Sequence, residues 1–283
     1  MSSANLVESA KKAAAYRAVD EHLDSSYRYV GIGSGSTVVY VVDAIAAKGP
    51  DFYKNMIFFP TGSQSKALIR NAGLALSSLP DRPLGPDGIP VALDVAFDGA
   101  DEVDAELNCI KGGGACLLQE KGVAIRAKKF VVVADYRKLS DRLCTKWTAG
   151  IPIEVDPFFA TDVLADLQAL GAIAPKIRLG LPAKAGECVT DNGNWIIDAP
   201  FKPLKLRRDP PGDGAGQLID HEWEVSELAA ALKGLVGVVE TGLFWGLNGV
   251  EAERSNIRRA TPQKPVAAYF GMENGEVEVR NAS

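Results

Sequence analysis

Residues 94–121, DVAFDGADEVDAELNCIKGGGACLLQEK, are the stretch that decides the fold. The apolar VAF is typical of the end of a buried parallel strand, and an acidic segment, DGADE, follows it at once. Polar residues at the carboxyl end of such a strand lie where α/β proteins bind ligands. A lysine, three glycines and a predicted helix with one more carboxylate follow, and this set suits proton transfer on a small anionic substrate. The candidate residues are Asp98, Gly99, Ala100, Asp101, Lys111, Gly112, Gly113, Gly114 and Glu120.

A glycine-rich loop lies upstream, at residues 31–37 (GIGSGST), between a predicted strand at 27–30 and a predicted helix at 38–48. A strand, a glycine turn and a helix in this order direct backbone N–H groups at an anion. We therefore expect the loop to hold a compact phosphate; a glycine turn with a purely structural role is the alternative. The residues expected to contact the substrate are Ser34, Gly35, Ser36 and Thr37.

Two familiar nucleotide-binding loops do not fit this sequence. A Walker loop ends in Gly-Lys-Ser/Thr, and no lysine precedes Ser36 or Thr37. A dinucleotide-binding loop needs a third glycine where Ser36 stands and an acid at the end of the second strand. The predicted strand at 56–59 instead ends in PTGS, so NAD is disfavoured.

The rest of the chain predicts two domains of unequal size. An apolar strand is predicted at 130–134, with Lys138 just beyond it, and from residue 150 the pattern changes to α+β, with an Asn-Gly hairpin at 189–199. We predict a Rossmann-like α/β domain, a mostly parallel sheet flanked by helices, at 1–149 and 236–283, and a smaller α+β (ferredoxin-like) domain at 150–235. The loop at 201–217 is interpreted as a surface insertion, and the tail after Pro265 as a short strand or peripheral extension.

Composition excludes several classes of protein. The chain has 283 residues, 47% of them hydrophobic, and a net charge of −5, so no basic field attracts nucleic acid or an anionic membrane. No apolar run approaches about 20 residues and the amino terminus lacks a signal-peptide core, so we expect a cytoplasmic protein. The four cysteines form no CxxC pair and there are only two histidines, so no metal site is expected and the thiols are interpreted as free.

The chain resembles ribose-5-phosphate isomerases of the A type, in their eukaryotic-like form. The motifs that carry the resemblance are GIGSGST, DGADEVD, IKGGGACLLQEK, FVVVADYRK, GIPIEV, VTDNGNWIID and GLF, and they occur in the family order over roughly residues 6–247. The resemblance implies interconversion of an aldose 5-phosphate and its 2-ketose through an enediol(ate), with no metal and no organic cofactor. It also implies assembly as a homodimer or homotetramer.

The resemblance also implies a role for each matching residue. Glu120 would move the proton between C1 and C2, and Asp98 and Asp101 would contact the sugar hydroxyls, with Asp98 assisting ring opening. Lys111 and the glycines at 112–114 would steady the oxyanion. Lys138 would supply a further cation, and Lys11, on a helix predicted at 5–23, matches a phosphate-binding lysine.

Two other functions remain as alternatives. A non-catalytic sugar-phosphate sensor would need a DNA-binding module, and the amino terminus is too short and insufficiently basic for one. A sugar-phosphate deaminase or lactonase would recruit histidine, but His22 and His221 lie outside the glycine and acid motifs.

One departure from the family concerns the helix of the proposed base: Gly122 stands where a larger aliphatic residue is usual, and a helical glycine costs about 1 kcal/mol relative to alanine.

Overall fold

The computed structural model describes residues 3–209, 222–255 and 263–282. Eight α-helices are described: α1 (Ser3–His22), α2 (Val38–Ala47), α3 (Pro50–Tyr53), α4 (Ser63–Asn71), α5 (Leu117–Ala124), α6 (Ala160–Ala169), α7 (Val225–Lys233) and α8 (Gly249–Ser255). The described strands are β1 (Tyr29–Ile32), β2 (Ile57–Pro60), β3 (Val95–Asp98), β4 (Glu102–Val103), β5 (Cys109–Ile110), β6 (Phe130–Asp135), β7 (Ile151–Val155), β8 (Lys176–Ile177), β9 (Trp195–Ala199), β10 (Val238–Thr241), β11 (Leu243–Phe244), β12 (Ala267–Gly271) and β13 (Val277–Asn281).

The chain divides into two units. The first contains the described residues of Met1–Ala100, Gln119–Leu139 and Gly246–Ser283, and the second contains those of Asp101–Leu118 and Ser140–Trp245. The domain boundaries expected from the sequence, 1–149 with 236–283 and 150–235, stay a prediction. All four cysteines are free thiols. None of the helices in the described part of the chain has the length and apolar character needed to span a bilayer.

The first unit is built on a six-stranded sheet in the order β13-β12-β6-β3-β1-β2. Its strands pair in parallel except β13, which is antiparallel to β12. β3 and β6 are buried at every position, which is why they read as continuous apolar runs in the sequence. The tail after Pro265 does form a strand, as predicted, but it is not peripheral, because all five residues of β12 are buried beside β6.

Helix α1 covers this sheet through its small residues. Ala14, Ala15 and Ala18 are fully buried; the first two precede Ala18 by four and three positions and so share its face, which Val7 and Val19 extend. The short side chains let α1 pack closely on α2, β6 and β12. The predicted α/β architecture, a mostly parallel sheet flanked by helices, is confirmed.

The second unit contains an antiparallel sheet in the order β10-β7-β9-β8. Helix α6 connects β7 to β8, and α7 connects β9 to β10, so the element order is the βαββαβ of ferredoxin-like domains. The predicted Asn-Gly hairpin leads into β9: the Thr190 N–H donates to the Asn194 carbonyl, and Gly193 takes the positive φ of +83° that the turn needs. A second sheet in this unit, β11-β5-β4, has strands of only two residues and was not predicted. Of the predicted insertion at 201–217, residues 210–217 lie outside the described residues.

Candidate active site

The first unit gathers its candidate residues at the carboxyl edge of the parallel sheet. β1 is followed by the glycine loop, β3 ends in Asp98, and β6 is followed by a 3-10 helix, Tyr136–Lys138, that contains Lys138. Gly99 and Ala100 follow Asp98 and are half-buried. Thr37 is buried at the start of α2. Within the first unit these residues therefore lie at one edge of the parallel sheet.

Asp98 is bound to the backbone of the glycine loop. Its Oδ1 accepts the Ser34 N–H at 3.1 Å and its own neighbour's N–H, from Gly99, at 2.7 Å. The side chain is only 3% exposed. A main-chain hydrogen bond also holds the loop: the Gly33 N–H donates to the Phe97 carbonyl at 2.8 Å. Asp98, the first acid of DGADE, is thus hydrogen-bonded to Ser34, which lies 64 residues earlier in the chain.

The turn after β2 supports the same loop. Ser34 Oγ lies 2.9 Å from Thr61 Oγ1, and the Gly35 N–H donates to Gln64 Oε1 at 2.8 Å. Ser65 Oγ accepts the N–H groups of Thr61 and Gly62, which fixes the start of α4. Thr61 and Gln64 were not predicted from the sequence to be site residues; the polar PTGSQS run at the end of the second strand was the available signal.

Lys11 reaches the glycine loop from α1. Its Nζ donates to Ser36 Oγ at 2.9 Å and to Glu8 Oε1 at 2.7 Å, and the side chain is largely buried. Tyr40 of α2 donates to the other oxygen of Glu8 at 2.7 Å. The hydrogen bond from Lys11, and then that from Tyr40, hold the pKa of Glu8 below its ordinary value. The buried Lys11 ammonium is therefore paired with the Glu8 carboxylate and lies beside Ser36, the exposed serine of the loop.

Glu120 lies on α5 and is 6% exposed. The helix packs closely against β1 because Gly31 has no side chain: a β-carbon there would lie 2.5 Å from Cγ1 of Val123. Gly122 faces Leu79, whose Cδ2 would be 3.4 Å from an added β-carbon. A carboxylate held in a buried position on a packed helix is suited to act as a general base.

Near Lys138 the first unit has another paired acid. Asp135, the last residue of β6, accepts bonds from Arg137 Nε at 2.6 Å and Arg137 Nη2 at 3.0 Å. Burial disfavours the charged carboxylate, but the bonds from Arg137 outweigh burial and lower the pKa of Asp135. Lys138 itself is half-buried.

The second unit holds Lys111 directly after β5. The side chain is 2% exposed, and its Nζ lies 5.5 Å from the centre of the Phe244 ring, within cation–π range. Its backbone N–H donates to the Gly242 carbonyl at 2.9 Å. Gly242 must be glycine, because a β-carbon there would lie 2.3 Å from the Lys111 carbonyl oxygen. The GLF motif therefore holds Lys111 in place.

Asp101 and the three glycines also meet in this unit. The Gly113 N–H donates to Asp101 Oδ2 at 2.7 Å, and Gly112 has a positive φ of +99°. Arg178 donates to both the Gly112 and Gly113 carbonyls at 3.0 Å. Burial alone would lower the pKa of Arg178, but its bonds to Asp198 raise it, so the guanidinium stays charged.

The neighbouring acid Glu102 has a structural role. Its carboxylate accepts the N–H groups of Cys144, Thr145 and Lys146 and the Thr145 hydroxyl, and it is fully buried. Arg178 was also not predicted to be a site residue, because nothing in its local sequence marks it. His22 lies 2.9 Å from the Tyr269 hydroxyl, as part of the packing of α1 on β12, and His221 is outside the described residues. Within the described ranges, no group of three or more His, Cys, Asp or Glu side chains is placed to hold a metal ion.

Comparisons with known proteins agree on one family. Residues 57–251 match the model of ribose 5-phosphate isomerase A (phosphoriboisomerase A). A ribose-5-phosphate isomerase of Mycosarcoma maydis is 46% identical over 277 residues, covering 98% of this chain and 82% of that protein. The ribose-5-phosphate isomerase of Eremothecium gossypii is 49% identical over 279 residues, covering 96% of this chain and 92% of the relative.

Solved structures show the same likeness. A D-ribose-5-phosphate isomerase in complex with phospho-erythronic acid superposes with a TM-score of 0.75 at 30% identity. The superposition covers 97% of this chain and 99% of that one. The likeness therefore extends through both units rather than resting on one motif.

Proposed function

This chain belongs to the ribose 5-phosphate isomerase A family, which interconverts D-ribose 5-phosphate and D-ribulose 5-phosphate, and we propose from that premise that Glu120 is its proton-transfer base. The chain is an aldose–ketose isomerase. The reaction moves one proton between C1 and C2 and needs a carboxylate beside those carbons. The observation that carries the proposal is the placement of Glu120: it is 6% exposed, on a helix packed against β1.

The proposed mechanism begins with the sugar in its open-chain form. The Glu120 carboxylate takes the proton from C2 of the aldose, and electrons from that C–H bond form the C1–C2 double bond while the carbonyl oxygen becomes an oxyanion. Glu120 then returns the proton to C1, and the proton of the C2 hydroxyl passes to the oxyanion on C1, so that the ketone forms at C2 and a hydroxyl at C1. One carboxylate serves both carbons because they lie side by side on one face of a cis-enediol.

The other candidate residues take the roles of binding and electrostatic stabilisation. We assign the phosphate to Ser34, Gly35, Ser36 and Thr37, with Lys11 and Lys138 as its cations. Asp98 and Asp101, with the Gly99 and Ala100 backbone, would contact the sugar hydroxyls, and Asp98 would assist ring opening. Lys111 and the N–H groups of residues 112–114 would stabilise the oxyanion.

A turnover assay tests the assignment of the base. Wild-type protein treated with EDTA is incubated with D-ribose 5-phosphate, and formation of ribulose 5-phosphate is followed. Glu120→Gln should lower kcat by about 10²–10⁴-fold, the usual contribution of a general base, while the circular dichroism spectrum stays unchanged. Glu253→Gln, at an exposed position of α8, is the matched control and should keep wild-type activity.

Three outcomes are informative. Loss of turnover only in Glu120→Gln supports the assignment. A folded Glu120→Gln variant with wild-type kcat would refute it. Wild-type protein that binds ribose 5-phosphate without converting it would instead favour the sensor function, which the family match disfavours.

Assembly and location belong to the same proposal. We propose a homodimer or homotetramer in the cytoplasm, acting in the non-oxidative pentose phosphate pathway. Sedimentation equilibrium would test the first part: the chain has a mass of 30.1 kDa, so a species at that mass would exclude assembly. Fractionation of the native protein tests the second.

A further inference from the structure

Arg178 joins two parts of the second unit. It follows β8, and its side chain is largely buried. Nε and Nη2 form a paired contact with the Asp198 carboxylate of β9, at 2.9 and 2.5 Å. The remaining terminal nitrogen, Nη1, donates to the carbonyl oxygens of both Gly112 and Gly113 at 3.0 Å. One guanidinium, itself fixed by a carboxylate, therefore holds two successive peptide groups of the segment at residues 112–114.

This contact determines where the N–H groups of this segment point. In a trans peptide the C=O and N–H bonds point in opposite directions. The Gly112 carbonyl faces Arg178, and the N–H of the same peptide, on Gly113, donates to Asp101 at 2.7 Å. By the same rule, the Gly113 carbonyl faces Arg178, so the Gly114 N–H must point away from it.

The Gly114 N–H is placed differently from that of Gly113. Within the ranges that the structure describes, no acceptor receives it, and an added β-carbon at Gly114 would meet no atom within 4 Å. Gly114 is exposed, so its N–H faces open space beside this segment. An oriented donor of this kind is what stabilises charge that develops during a reaction.

We propose that Arg178, held by Asp198, is a positioning residue that fixes the Gly113–Gly114 peptide so that the Gly114 N–H donates to the oxyanion of the enediolate. This inference rests on the proposed function and adds a residue to it. Glycine has unusual backbone freedom, so without a fixed partner the N–H donors of residues 112–114 would have to be ordered during the reaction. Arginine suits the task because its planar fork binds a carboxylate with two nitrogens and leaves a third for the carbonyls.

The test separates binding of the substrate from stabilisation of the intermediate. Arg178→Gln and Arg178→Lys are compared with Arg142→Gln, which removes a more exposed guanidinium of the same unit, the partner of Asp209. For each, kcat and KM for ribose 5-phosphate are measured. Inhibition constants are measured for phospho-erythronic acid, whose carboxylate mimics the two enediolate oxygens, and for inorganic phosphate, which lacks them.

The expected pattern is specific to a positioning role. Both Arg178 variants should lower kcat, by about 10- to 100-fold for Arg178→Gln, at or below the effect of deleting one oxyanion donor. Binding of phospho-erythronic acid should weaken by a similar factor, while KM and the constant for inorganic phosphate stay within about twofold. Arg142→Gln should match wild type. If Arg178→Gln does not fold, the double variant Arg178→Met with Asp198→Leu, which leaves no buried charge unpaired, replaces it.

Two results would overturn the inference. One is a kcat within about twofold of wild type in a folded Arg178 variant. The other is equal weakening of phospho-erythronic acid and inorganic phosphate, which would indicate general damage to the unit. Failure of the proposed function would be seen separately, as absence of isomerase activity in the wild-type protein.

Discussion

The Oδ1 atom of Asp98 fills the space beside Gly33, where a β-carbon would lie 1.9 Å from it. The reason is the register of the parallel strands: Ile32 of β1 is opposite Phe97 of β3, so the residues that follow both strands face each other. Gly33 does not have a positive φ, so it is required for space rather than for its backbone conformation. The glycine loop is therefore also the place where the Asp98 carboxylate fits.

Gly33→Ala should consequently displace the Asp98 carboxylate. Overpacking of this kind typically costs about 1–3 kcal/mol of unfolding free energy. Misplacing a catalytic group can lower the rate about 10²-fold, so kcat should fall by that order if Asp98 has the role proposed above. The measurements are urea unfolding and steady-state kinetics. Wild-type kinetics in Gly33→Ala would show that Asp98 has no role in the reaction.

Gly122→Ala provides the contrasting substitution in the same unit. Among the described residues, an added β-carbon would meet Leu79 Cδ2 alone, at 3.4 Å, which is ordinary van der Waals contact. Because helical glycine is less favourable than alanine, the variant should gain about 0.5–1 kcal/mol of unfolding free energy. Activity should stay near wild type, since Glu120 is not displaced. A lower urea midpoint would instead mean that the contact with Leu79 is already tight.

Local patterns were enough to predict the strands that form this sheet edge. β3 and β6 are buried throughout and end in polar residues, and these two features of the sequence placed Asp98 and Lys138 at one edge. The Asn-Gly turn at 192–193 was predictable for the same local reason. Each of these features depends on residues within one strand or one turn.

Other features depend on contacts between distant residues. Arg178 contacts Gly112 and Gly113, 65 or more residues earlier in the chain, and nothing in its local sequence, IRLG, indicates this contact. The place of β12 in the middle of the sheet depends on strand order, which local periodicity does not encode. β4, β5 and β11 have two residues each, too few for any alternation. Glu154 was detectable in part, as the one charged residue in the apolar strand IPIEV.

Glu154 ties the start of α5 to the hairpin before β9. Its Oε1 accepts bonds from Thr190, Asn192 and Asn194 at 2.9–3.0 Å, and its Oε2 accepts the Leu118 N–H at 3.3 Å. In Glu154→Gln the amide oxygen can keep the hydrogen bonds from the hairpin, but the NH₂ group then faces the Leu118 N–H, which loses its acceptor. We expect a loss of about 1–3 kcal/mol of unfolding free energy, the cost of a buried donor without a partner.

Hydrogen exchange distinguishes this effect from general destabilisation. In Glu154→Gln, the amides of α5 should exchange faster while those of the hairpin turn keep their protection. Asn192→Ala is the matched control, because it removes a hairpin bond to Glu154 and leaves the bond to Leu118 in place. The prediction is contradicted if α5 is equally protected in wild type and Glu154→Gln.

Asp104 should make stability depend on pH. It is fully buried, and burial raises its pKa from 3.8 to about 6, although bonds from Asn108 and Glu106 partly oppose the rise. Between pH 4 and 6 the unfolded chain loses this proton first, so the folded protein binds more protons. The contribution of Asp104 to the unfolding free energy therefore falls as pH rises through this window and is lowest above the folded pKa.

Asp104→Asn removes the titrating group, so comparison with wild type measures how much the ionisation of Asp104 changes the unfolding free energy. A rise of about 2 pH units corresponds to about 3 kcal/mol at 1.36 kcal/mol per unit. The unfolding free energy of wild type should therefore drop by up to that amount relative to Asp104→Asn between pH 4 and pH 7. Urea unfolding of both proteins at each pH measures the difference, and other titrating groups cancel because they are common to both. A difference that stays constant, or one that favours wild type at higher pH, would mean that Asp104 is ionised in the folded protein throughout, stabilised by the three donors that surround its carboxylate.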